Sequence, residues 1–225
     1  MSVADKISYF QSELKNTSCR LIAVSKTHPP AAIREAYEAG QRLFGENKVQ
    51  ELTAKQEELP VDIEWHLLGH LQTNKVKYIA SFVHTIQSVD SLKLLQEIDK
   101  QALRHNRVVN CLLQIYIAEE ESKFGLSLTE AREILSSEEY KVLANVRITG
   151  VMGIATNTNS EAQLQKEFRY LKQTFADLKS SFFVQEATFK EISMGMSSDY
   201  KLAIAEGSTM IRVGSSIFGA RDYSK

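Results

Sequence analysis

One lysine, one arginine and a handful of serines and glycines carry the chemistry most readily read from this 225-residue chain. Lys26 follows the apolar run Leu21-Ile22-Ala23-Val24 and precedes Pro29-Pro30. Such a run reads as a buried parallel strand, and the prolines suit the first turn of the helix after it. The amine therefore stands at the carboxyl end of a strand, where α/β proteins build their ligand sites. Desolvation there favours the neutral amine, the form that attacks a carbonyl to make a Schiff base. A lysine whose stem follows the apolar wall out to solvent satisfies the same spacing.

A second group lies near the other end of the chain, in Ser193-Met194-Gly195-Met196-Ser197 and Arg212-Val213-Gly214-Ser215. Glycines that let backbone N–H groups come close, with hydroxyls beside them, are the parts of a phosphate cradle, and in barrels the loops after strands seven and eight commonly supply it. Ser197, Gly214 and Ser215 fit that role; serine and glycine also simply make turns. Arg212 interrupts the apolar stretch Met210 to Val213, so it must either point into a site or pair with an acid at a rim.

The elements that must bring these groups together follow from hydrophobic periodicity. Ile7, Phe10 and Leu14 predict a lead-in helix from about Val3 to Leu14, packed on the rest. Strands are predicted at 21–24, 43–45, 63–68, 83–86, 108–117, 146–154, 189–194 and 210–213. Helical patterns intervene: from the prolines to Tyr37 with Gly40 as a left-handed cap, from Asn47 as N-cap toward Pro60, a short one through Val76, and one from Asp90. Ser127 with Glu130 and Ser160 with Gln163 have the spacing of capping boxes, and Ser197 or Ser198 caps a helix ended by Gly207. Leu164, Phe168, Leu171, Phe175 and Leu178 form a core-packing stripe. Eight strand-helix units in so short a chain predict a single (β/α)8 barrel over residues 1–225, with the first 18 or so as an added N-terminal helix. An open doubly wound sheet is the alternative.

An amine at one strand end and a phosphate cradle at two others are the two anchors of pyridoxal phosphate. Here the chain resembles the pyridoxal phosphate homeostasis protein family, which shares a barrel with the N-terminal domain of alanine racemases. The resemblance runs through Val24-Ser25-Lys26-Thr27, Phe44-Gly45-Glu46-Asn47, the stretch from Trp65 to Lys75, Ser122-Lys123-Phe124-Gly125-Leu126, Gly150-Val151-Met152, the stretch from Ser193 to Asp199, and the stretch from Gly207 to Gly214. It implies a non-catalytic carrier that holds pyridoxal 5'-phosphate as an internal aldimine on Lys26, with the phosphate on Ser197, Gly214 and Ser215. It also implies that Arg212 faces the pyridine nitrogen, where a guanidinium keeps the ring unprotonated and weakens it as an electron sink. Asn47, His66 and Met152 are expected near the ring, although Asn47 also suits a helix cap and Met152 core packing. Lys123 is a candidate second aldehyde site. The racemases use a tyrosine from a further C-terminal domain; this chain stops soon after Arg221-Asp222-Tyr223, so efficient racemisation is not expected. An amino-acid racemase or decarboxylase is the alternative function, and an aldolase-like enzyme for phosphorylated sugars a third. The expected partners are the cofactor and recipient apoenzymes, with the chain a monomer or weak dimer.

Composition narrows the remaining classes. A formal net charge of -1 without a basic run argues against nucleic acid or anionic lipid. With 43% hydrophobic and 24% charged residues, and no span-length apolar stretch, a cytoplasmic domain is expected. Asp5, Lys6 and Glu13 stand where a signal peptide would be apolar. The Asn16-Thr17-Ser18 sequon is then a chance match. Cys19 and Cys111 read as reduced thiols. His66 and His70 have the spacing of helical zinc ligands, but a strand end and a glycine turn separate them, so no metal is expected. Glu119-Glu120-Glu121 reads as a solvated loop.

Overall fold

The computed structural model describes residues 1–119 and 124–219. Lys123 and the Arg221-Asp222-Tyr223 segment lie outside the described residues. Eight parallel strands close into a barrel in chain order: β1 (Arg20–Val24), β2 (Leu43–Glu46), β3 (Glu64–Leu67), β4 (Thr85–Val89), β5 (Val109–Gln114), β6 (Val146–Met152), β7 (Glu191–Ser193) and β8 (Met210–Val213). Closure is made where β8 pairs with β1, Arg20 lying opposite Met210 and Ile22 opposite Arg212. The open doubly wound sheet is thereby excluded, since neither β1 nor β8 keeps a free edge.

The crossovers are α2 (Pro30–Glu38), α3 (Val49–Glu58), a 3-10 segment (Thr73–Tyr78), α4 (Leu92–Arg104), α5 (Leu128–Ser136) with α6 (Glu138–Lys141), α7 (Glu161–Phe182) and α8 (Tyr200–Ala205). Helix α1 (Val3–Leu14) precedes the barrel and α9 (Ser215–Phe218) follows it. Helix α1 opens on a capping box between Ser2 and Asp5 and buries Ile7, Phe10 and Leu14, the predicted stripe. Gly40 at φ +94° follows α2 in the left-handed region that a residue without Cβ adopts freely.

Strand parity divides the side chains into two sets. Leu21, Ala23, Phe44, Trp65, Leu67, Ile211 and Val213 pack outward into one continuous core with helical residues such as Ile33, Leu52, Leu94 and Phe168. Their neighbours Arg20, Ile22, Val24, His66, Met210 and Arg212 face the barrel axis, because successive strand side chains point to opposite faces. The positions that could do chemistry are therefore the inward ones.

Several boundaries differ from the periodicity. Strand β4 begins at Thr85 and ends at Val89, later than the 83–86 stretch, with a bulge between Ile86 and Val89. Asn47 is not a helix cap: Lys48 holds that position in α3 with no side-chain hydrogen bond. Helix α4 is capped by Ser91, not Asp90, and α8 by Asp199, not Ser197 or Ser198. Ser127 and Glu130 form the reciprocal box, whereas Ser160 receives the Gln163 N–H but the Gln163 side chain turns to Glu167. Of the α7 stripe, Phe175 is only half-buried and stacks on Phe189.

Candidate functional site

A cavity of about 250 Å³ opens at the carboxyl end of the barrel, lined by Lys26, Ser197, Ser198, Arg212, Gly214 and Ser215, with Val24, His28, Met196 and Gly219 completing its wall. Residues separated by some 170 positions in the chain thus share one mouth, because β1 and β8 are neighbours in the closed sheet.

Lys26 is half-buried in the turn after β1. The turn is pinned on both sides. Ser25 Oγ donates to Glu46 Oε1 at 2.6 Å, and its carbonyl accepts from Lys55 Nζ at 2.8 Å. Thr27, held at φ +68°, donates its N–H to Glu51. Lys55 joins the two acids, at 2.7 Å from each. A β-branched residue in the left-handed region is strained, and persists only where surrounding contacts over-determine it. This acid-lysine-acid network between β2 and α3 is what orients the Lys26 turn. Burial pushes the Glu46 carboxyl up to about 7, against the pull of the Lys55 ammonium.

Arg212 is buried on the axis, donating from Nη1 to Ser193 Oγ at 2.8 Å and from Nη2 to the Gly153 carbonyl at 2.9 Å. Burial draws its guanidinium down to about 10, with Asp199 acting the other way, so it remains a cation at neutral pH. Asp199, raised by burial, accepts the Met196 N–H at 2.5 Å and so shapes the loop that carries Ser197 and Ser198. The Gly214 N–H points at Ser197 Oγ at 3.4 Å, and a Cβ on Gly214 would stand 3.1 Å from the Val24 carbonyl. The missing side chain lets the β8 end close onto β1.

Not every expected residue reaches this cavity. Met152 ends β6 fully buried but does not line it, and Asn47 is half-buried with its backbone packed against Gly69. His66 is the clearest departure. Strand β3 runs on to Leu67, so His66 sits inside the wall and lines a different cavity at the amino-terminal end of the barrel. Sequence reading missed the positioning group Glu46, Glu51 and Lys55, as well as His28, whose ring stacks on Phe218 with centroids 5.2 Å apart. Glu46 was visible within Phe-Gly-Glu-Asn, but nothing in the spacing tied it to a lysine one helix away.

Residues 2–222 match the family "Alanine racemase, N-terminal domain". A relative from Aquifex aeolicus (strain VF5), named pyridoxal phosphate homeostasis protein, is 39% identical over 206 residues, covering 91% of this chain and 88% of its own. The chain belongs to the pyridoxal phosphate homeostasis protein family. A member from Escherichia coli (strain K12), of the same name, is 38% identical across 99% of this chain and 95% of its own. The structure of PipY from Synechococcus elongatus PCC7942 with PLP bound superposes with a TM-score of 0.87 at 42% identity, covering 97% of this chain and all of that one. The closed barrel places the first strand beside the last, as the cavity requires. No helix among the described residues is long and apolar enough to cross a membrane.

Proposed function

We propose that this chain is a pyridoxal 5'-phosphate-binding protein of vitamin B6 homeostasis, holding the cofactor covalently on Lys26 and carrying no amino-acid enzyme activity of its own. The observation that carries the proposal is the single cavity shared by Lys26, Arg212, Ser197, Gly214 and Ser215. That donor set fits the group: one amine, one cation, and hydroxyl and N–H donors lining the same cavity. When bound, the cofactor supplies an aldehyde for the amine and a phosphate dianion for the donors. The names of the relatives and the cofactor bound in PipY support the same reading.

Within this reading each residue has a task. Ser197 and Ser215 donate hydroxyls to the phosphate, and the backbone at Gly214-Ser215 comes close enough to donate N–H groups. Arg212, fixed by Ser193 and Gly153, presents a permanent donor toward the pyridine nitrogen. The Glu46-Lys55-Glu51 network aims the amine. The two buried thiols are free, as a reducing cytoplasm leaves them, and apoenzymes that need the cofactor are the recipients.

The decisive experiment is reconstitution with pyridoxal phosphate, borohydride reduction and mass-spectrometric mapping of the modified lysine, alongside amino-acid racemase and decarboxylase assays. Label on Lys26 without turnover supports the carrier. Label with turnover that disappears in Lys26→Ala transfers the reading to an enzyme, and a sugar in place of the cofactor overturns both.

Two substitutions test the individual roles. Ser197→Ala removes one charge-assisted hydrogen bond and is expected to weaken cofactor retention by about 1.5–3 kcal/mol, read from the dissociation rate. An unchanged rate removes Ser197 from the phosphate. Arg212→Glu is expected to shift the visible spectrum of the loaded protein by favouring a protonated ring nitrogen; an unaltered spectrum and affinity would displace Arg212 from the ring.

A further inference from the structure

The barrel has a second mouth. At its amino-terminal end a cavity of about 430 Å³ is bordered by the first residues of several strands, and His66 and His84 form part of its wall. Glu64 stands beside them: its Oε2 is 3.6 Å from His84 Nε2. One ligand atom from each of Glu64, His66 and His84 lies within 4.8 Å of the others. Two imidazoles and one carboxylate are a zinc-type donor set, and bonds of about 2.0–2.1 Å at tetrahedral angles put neighbouring donors about 3.3 Å apart. The 3.6 Å pair is already near that spacing.

An independent observation points the same way. His66 is 1% exposed, yet its Nε2 has no hydrogen-bond partner. A buried ring nitrogen left so is costly, and unusual unless something absent from the protein completes it. The other nitrogens of both rings are already engaged, as metal-bound histidines require of their outer partners. His84 Nδ1 lies 2.8 Å from Thr85 Oγ1, and His66 Nδ1 lies 2.9 Å from Gln87 Nε2, whose amide oxygen accepts from Ser193 Oγ at 2.7 Å. A metal at Nε2 requires the Gln87 amide to turn over, so that its carbonyl accepts from His66 Nδ1–H and Nε2 presents a lone pair toward the cluster. The Gln87 NH2 group then donates to Ser193 Oγ in place of the present Ser193 O–H to Gln87 Oε1 bond, and Ser193 keeps a second acceptor site for Arg212.

We propose that Glu64, His66 and His84 form a site for a divalent transition-metal ion of the zinc class at the amino-terminal mouth, with its fourth position open to the cavity. The neighbouring charge bears on that fourth ligand. Arg20 is neutralised by Glu191 at 2.7 Å, whereas Arg147 and Lys190 on the same rim favour an anion there, such as hydroxide or phosphate. The site is separate from the Lys26 cavity, with which it shares no lining residue. It therefore does not rest on the proposed cofactor.

The test uses the full-length protein after chelator treatment, titrated with Co²⁺ and followed by its visible absorption, then competed with Zn²⁺ and assayed for stoichiometry by atomic emission. One equivalent with the intense bands of a tetrahedral site is expected. His84→Ala, at a half-exposed position, should abolish it while circular dichroism shows the fold retained. Thr85→Val, which removes only the outer partner, should weaken binding about tenfold. Lys26→Ala should leave metal binding unchanged. No stoichiometric binding, binding that survives His84→Ala, or binding lost in Lys26→Ala would each overturn the proposal.

Discussion

Lys26→Ala is expected to abolish covalent retention of pyridoxal phosphate: the loaded protein loses its visible absorption band, and borohydride leaves no label on the chain. Among the described residues no other lysine lines the cavity. The phosphate donors and Arg212 persist in the variant, and they still offer charge-assisted hydrogen bonds. Noncovalent binding should therefore survive, but weakened at least about 100-fold, or ~2.7 kcal/mol. Fluorescence titration separates the outcomes. Retained covalent label would move the anchor elsewhere, and complete loss of noncovalent binding would mean that the cradle depends on the lysine for its shape.

Lys55→Met is expected to produce the largest loss of stability, about 3–5 kcal/mol at pH 8 in urea denaturation, because it strands a carboxylate with no exposure beside a second acid. Methionine fills the stem but offers no charge. The pH dependence follows from Glu46. Its folded value is raised from 4.5 to about 7, so between those values the folded chain binds more protons than the unfolded one. Stability is then fully present below about 4.5, falls as pH rises through about 7, and levels off above it. Without Lys55 the pull toward the ionised form is gone, and the decline should extend to higher pH. Because Ser25 and Thr27 hang on the same network, Lys55→Met should also slow cofactor loading at Lys26. A stable variant with normal loading would show that the turn holds itself.

Much of the barrel was legible because its signals are local. Strand β8 and helix α1 have the predicted bounds, since each is a short apolar period with clear ends. The capping box at Ser127 is likewise a contact over three residues. Where the reading slipped, at β4 and at the starts of α3 and α8, packing set the boundary and neither helix opens on a side-chain cap. Asp199 rather than either serine stands before α8, which leaves Ser197 and Ser198 on the cavity wall.

The site divides in the same way. Lys26, Ser197, Arg212, Gly214 and Ser215 could be picked out by type and position, because an amine past a buried strand and a guanidinium inside one are conspicuous wherever the strands go. His66 could not be placed: it lies inside the predicted strand 63–68, but which mouth an inward side chain faces depends on how the strands are staggered around the barrel, which local periodicity does not carry.

What the residue order determines by itself is the set of strands, the parity of each side chain and the identity of the reactive groups, all consequences of local periodicity. Only the tertiary structure decides that the first strand lies against the last, that Lys55 turns back from α3 onto Glu46 of β2, and that His84 joins Glu64 and His66 at the opposite end. Those are distances between separate elements, set by how strands and helices pack and not by the local period of any one of them; the meeting of the first and last strands needs all eight around one axis.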